Sequence, residues 1–160
     1  MINNVCQSTL VIGYGCSLRC DDGVGQRIAN AIAGWENPNV TAIAIPQLTP
    51  DLAERLANVD QVIFVDVYLT STKRAIQIHS LQLAQSGATI GHWYEPQMLL
   101  ATTQALYGYH PQAWWVMVPG INFELGDSLS SVAERGIEAA LEEIEYLLKA
   151  RGVEPCMKLE

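Results

Sequence analysis

Apolar residues along this chain come in short β-branched runs that alternate with stretches of helical period. Residues 9–12 (Thr-Leu-Val-Ile) form the first run, and residues 40–45 (Val-Thr-Ala-Ile-Ala-Ile) form the second, stopped by Pro46. Residues 61–65 (Gln-Val-Ile-Phe-Val) read as a buried strand ending at Asp66. Residues 75–78 alternate after only a short gap, which suits an antiparallel strand, and residues 114–118 form the last run, closed by Pro119-Gly120. Between them Val24, Ile28, Ala31 and Ile32 recur every three to four positions and predict a helix over 23–33. Thr49-Pro50-Asp51 is a helix start, with a Thr cap and Pro at the first position, leading into a short helix over 52–56. Glu95-Pro96 opens a helix with Leu99, Leu100, Thr103 and Leu106 on its inner face, ending near Gly108. Ser131 and Glu134 form a capping box. The helix after it turns Ile137, Leu141, Ile144 and Leu148 inward and Glu138, Glu142 and Glu145 outward.

The order β-α-β-α-β-β-α-β-α predicts an α/β fold, a three-layer αβα sandwich around a mostly parallel twisted sheet of about five strands. In such sheets the loops leaving the carboxyl ends of the strands build the site. The 160 residues suit a single domain over 1–160, with 151–160 as a loose tail. Hydrophobic residues make up 49% and charged residues 16%, which supports a real core and excludes a disordered chain. Nine basic against 17 acidic residues, a net charge of −8, argue against a nucleic-acid partner and are compatible with recruiting a cation or a basic protein segment. No apolar run approaches the roughly 18 residues that span a bilayer, and the start lacks the pattern of a signal peptide. No membrane partner and a cytoplasmic location are therefore expected. The cysteines are Cys6, Cys16, Cys20 and Cys156. Cys16 and Cys20 do not have the usual zinc or redox spacing, so free thiols are expected.

The loop between the first strand and its helix reads Gly13-Tyr-Gly15-Cys16-Ser-Leu18-Arg-Cys20-Asp21-Asp22-Gly23-Val-Gly25. A dinucleotide fingerprint would need glycine where Leu18 stands. Asp21 and Asp22 would also repel a pyrophosphate at the helix start, and no Gly-Lys-Ser/Thr occurs for a phosphate loop. One aspartate before a helix caps it and complements its dipole; a pair leaves one without that task. Asp66 should emerge at the same sheet edge, and His92, just before the helix opened by Glu95-Pro96, can reach it too. His79 and His110 belong to the wrong strand direction and the far edge. Two carboxylates and an imidazole from three loops suit a divalent first-row metal with open positions.

These residues resemble the maturation proteases of nickel–iron hydrogenases. That family's opening motif is similar to Gly-x-Gly-Asn-x-Leu-x-x-Asp-(Asp or Glu)-Gly-x-Gly, and the spacing over Gly13 to Gly25 matches throughout. Asp66 after the third run, His92 ahead of Leu99-Leu100, and the stretch from Val118 to Ser130 extend the likeness over nearly the whole chain. The resemblance implies an endopeptidase of aspartyl type. It would remove a short C-terminal peptide from the hydrogenase large-subunit precursor once nickel is in place. It also implies that Asp22, Asp66 and His92 are the catalytic, metal-contacting residues, and that the nickel arrives with the substrate rather than staying bound. Two positions depart from the family pattern: Cys16 stands where the motif has Asn, and Gln47 lies in a turn where many relatives carry Asp, so Gln47 cannot act as a base. No Gly-x-Ser-x-Gly nucleophile turn occurs, which favours attack by water. The alternatives are a receiver-type phosphoacceptor domain, which needs a Lys after the last strand that is absent from Val116-Met-Val-Pro-Gly120, and a metal-dependent hydrolase of small molecules.

Overall fold

The computed structural model describes residues 7–72, 75–83 and 94–150. Among these residues five strands form one sheet: β1 (Thr9–Tyr14), β2 (Val40–Ile45), β3 (Gln61–Leu69), β4 (Gln77–Leu81) and β5 (Gln112–Gly120). Their spatial order is β2-β1-β3-β5-β4. The β1–β2, β1–β3 and β3–β5 pairs are parallel, and β4 runs antiparallel to β5 at the edge. Four helices among the described residues cover the sheet: α1 (Val24–Ala33), α2 (Ala53–Leu56), α3 (Pro96–Tyr107) and α4 (Ser131–Ala150). Short 3₁₀ turns at Cys20–Gly23 and Pro50–Leu52 lead into α1 and α2.

Strand alternation sends neighbouring residues to opposite faces. Val11, Ile63, Val65, Val116 and Val118 pack against Ile28 of α1 and Ile144 and Leu148 of α4. Leu10, Ile12, Val62 and Phe64 pack against Leu56 of α2 and Leu99 and Leu100 of α3. Both faces are thus dry, which is why the central strands read as unbroken apolar runs. Each such buried side chain contributes roughly 1.5–3 kcal/mol.

Several boundaries differ from the sequence reading. β3 does not end at Asp66 but runs on to Leu69, because β5 pairs with it as far as Gly120. Pro119-Gly120 lies inside β5 rather than after it. The antiparallel partner β4 reaches β5 only at residues 113–117, so the missing N–H of Pro119 falls beyond that ladder. Leu106 shares the helical phase of Leu99 but is 67% exposed, since the whole last turn of α3 stands clear of its neighbours. The cap of α4 is Ser130, not Ser131: the Ser130 hydroxyl accepts from Ala133 N–H at 3.1 Å. Thr49 offers α2 no side-chain cap and serves only through its carbonyl, which accepts from Leu52 N–H. The expected tail at 151–160 lies outside the described residues.

Candidate active site

From β1 the chain moves outward to β2, then crosses back to β3 on the other side of β1. This reversal opens a crevice at the carboxyl ends of β1 and β3, the place where open α/β sheets bind ligands. Two glycines let α1 settle directly onto that edge. A Cβ on Gly13 would lie 1.8 Å from the carbonyl oxygen of Gly25, and one on Gly25 would lie 2.6 Å from the carbonyl oxygens of Tyr14 and Val65. The glycines of the first loop therefore serve close packing between backbones rather than phosphate contact.

The aspartate pair splits into two roles. Asp21 is fully buried. Its carboxylate accepts the backbone N–H of Ile121, Asn122 and Ser130 at 2.8–3.0 Å and the Ser130 hydroxyl at 2.7 Å. Burial pushes its pKa up, but these donors outweigh that effect and hold it below the ordinary carboxylate value. Asp21 is thus an anchor for the loop after β5, not the helix cap suggested by its position. Asp22 points the other way, and its Oδ2 accepts the Cys16 backbone N–H at 2.9 Å. That bond comes from main chain, so Cys16 supplies it without the Asn side chain of the family motif.

Asp66 follows the last residue of β3 that pairs with β1 (Val65, opposite Gly13). It alternates with Val62 and Phe64 and so faces the α2/α3 side of the sheet. Asp22 and Asp66 line one cavity of about 530 Å³ together with Tyr14, Gln47, Tyr94, Glu95 and Trp115. Burial, reinforced by the charge of Asp22, pushes the Asp66 carboxyl up to about 7, although the Val67 N–H and the Tyr14 hydroxyl both donate to it. Tyr14 is pushed up in turn, first by burial and then by the Asp66 charge. The Trp115 indole N–H lies beside the Tyr14 hydroxyl without a well-aligned hydrogen bond. Such a cavity, with two coupled carboxyl groups and one of them half-protonated near neutrality, is suited to receiving a cation or handling a proton.

No family model matches the chain, and no curated protein matches it by sequence. Solved structures do match it over nearly their whole lengths. The hydrogenase maturating endopeptidase HybD from E. coli superposes with a TM-score of 0.69 at 22% identity, covering 91% of this chain and 94% of that one. The nickel–iron hydrogenase maturation protease HycI from Thermococcus kodakarensis gives 0.70 at 18%, covering 89% and 93%. The hydrogenase 2 maturation peptidase from a Thaumarchaeota archaeon gives 0.67 at 22%, covering 92% and 100%. The fold is that of the hydrogenase maturation endopeptidases. A receiver domain, by contrast, has five parallel strands in the order 2-1-3-4-5, which the antiparallel edge strand β4 does not fit.

Within this maturation-endopeptidase fold, His92 lies outside the described residues, and among those described no group of three His, Cys, Asp or Glu is placed to hold a metal. Cys16 and Cys20 are free thiols, Cys20 buried near the Ser128 hydroxyl. His79 is on β4 and bonds Gln77, and His110 bonds the carbonyl of Pro111 before β5, at the opposite end of the sheet. Sequence reasoning missed Tyr14 and Glu95 as lining residues. A large polar aromatic between two glycines was the one available signal for Tyr14; Glu95 was read only as the residue that opens α3. Among the described residues no helix is long and apolar enough to cross a membrane.

Proposed function

We propose that this protein is an endopeptidase that removes a C-terminal peptide from the nickel-loaded large-subunit precursor of a nickel–iron hydrogenase. Asp22, Asp66 and His92 read the nickel. The observation that carries this reading is the meeting of Asp22 and Asp66 in one cavity at the strand-order reversal of a maturation-endopeptidase fold. The nickel belongs to the substrate. Two carboxylate oxygens and an imidazole nitrogen complete its coordination from the enzyme side. An approaching divalent cation lowers the cost of ionising Asp66, which gives up its proton as the metal seats. The Tyr14 hydroxyl and the Val67 N–H orient the Asp66 carboxylate for that contact. Seating the metal fixes the scissile peptide beside the acids, where a water attacks it. A precursor without nickel lacks both grip and orientation, so maturation becomes a checkpoint on metal insertion. The reaction is assigned to the cytoplasm.

The deciding experiment incubates the protein with nickel-loaded and nickel-free precursor and reads the mass of the large subunit. Loss of a C-terminal peptide only from the loaded form is expected; equal cleavage of both forms, or of neither, refutes the proposal. Asp22→Asn, Asp66→Asn and His92→Ala are each expected to abolish the mass loss while leaving the circular dichroism spectrum unchanged. Full processing by all three variants would remove these residues from the site.

A further inference from the structure

We propose that Glu95 is the general base of this hydrolysis, taking the proton of the water that attacks the scissile carbonyl carbon. The inference rests on the endopeptidase reading above.

Among the described residues, the polar side chains lining the cavity, apart from the Trp115 indole, are Tyr14, Asp22, Gln47, Asp66, Tyr94 and Glu95. Asp22 and Asp66 are committed to the metal, and both already hold hydrogen bonds, from Cys16 N–H and from Val67 N–H. Tyr14 donates to Asp66, and the Tyr94 hydroxyl is engaged with Thr102. Gln47 has no proton to exchange at neutral pH, but its amide offers one donor and one acceptor face, the complement of a peptide backbone. Glu95 is the remaining carboxylate among the described lining residues.

Its backbone and side chain do separate things. The carbonyl of Glu95 accepts the N–H groups of Met98 and Leu99 and so starts α3. Its side chain makes no capping bond to the helix. The start of the helix therefore holds Glu95 at the cavity, where the residue is exposed to solvent. Its charge acts on the Tyr14 phenol, which bonds Asp66, so the three groups share one local field.

The steps balance without a further reactant. The water oxygen bonds to the carbonyl carbon as Glu95 accepts one water proton. The tetrahedral intermediate then breaks its C–N bond, with the electron pair leaving on nitrogen. The proton held by Glu95 passes to that nitrogen. A carboxyl terminus and an amine are released, and the Glu95 carboxylate is restored.

The test uses the full-length protein and nickel-loaded precursor. Glu95→Gln is expected to lower kcat by about 100-fold or more with KM unchanged. Glu95→Ala is expected to be equally slow and partly restored by added formate, and Glu95→Asp to keep measurable turnover. Glu95→Gln within about threefold of wild-type kcat, or a loss confined to KM, overturns the assignment. Wild-type protein that leaves loaded precursor intact defeats the endopeptidase reading and this assignment together. Cleavage by wild type with an unimpaired Glu95→Gln defeats the base alone.

Discussion

Asp21 and Asp22 are adjacent in the chain and opposite in environment. One is sealed under the loop after β5 and satisfied by four donors; the other looks into the cavity with a single backbone bond. Asp66 is different again: burial and the nearby Asp22 charge raise it to about 7 from 3.8. A raised native pKa means the folded chain holds the proton more tightly than the unfolded one. The stabilisation from this carboxyl is complete below about pH 3.8, shrinks as pH rises, and is gone above about pH 7. Asp66→Asn removes a buried charge that wild type must carry at alkaline pH. The variant is therefore expected to melt higher than wild type at about pH 8, by at most about 4 kcal/mol of stability. The gap should close toward about pH 5. Calorimetry across that range checks it; a variant less stable at the alkaline end contradicts the raised value.

Between elements, the connection that matters most joins the β1–α1 loop to the β5–α4 loop. Asp21 is its centre, helped by Cys20 N–H to Gly126 carbonyl, Gly126 N–H to Leu18 carbonyl, and the Arg19 and Arg27 side chains on the carbonyls of Phe123 and Asp127. Asp21→Ala leaves three backbone donors without their acceptor and is expected to cost roughly 3–5 kcal/mol, measured by urea unfolding. Asp22→Asn keeps an oxygen for the Cys16 N–H and is expected to stay within about 1 kcal/mol of wild type. Equal stability of the two variants would show that the loop anchor has been misplaced. The Asp21 pKa is lowered, so its stabilisation is present above the ordinary carboxylate value and is lost as pH falls through the native one.

At the scale of the molecule, helix and strand order was readable because each element carries its own period. Val24, Ile28 and Ile32 declare α1 whatever surrounds them, and the unbroken run at 61–65 declares a strand dry on both faces. Periodicity also placed Asp22 and Asp66 after the first and third strands, and the sheet brings them to one cavity. Two things were not readable. The ends of β3 and β5 depend on their pairing with each other, so Asp66 lies inside a strand rather than at its tip. The work of Asp21 depends on backbone donors about a hundred positions away, and no local pattern announces such a partner. What this sequence determined alone was the alternation of its elements, because burial acts on residues within one turn or one pleat. What tertiary structure decided was which polar side chain is consumed as scaffold and which faces open space, because hydrogen-bond partners and desolvation are set by distant chain segments.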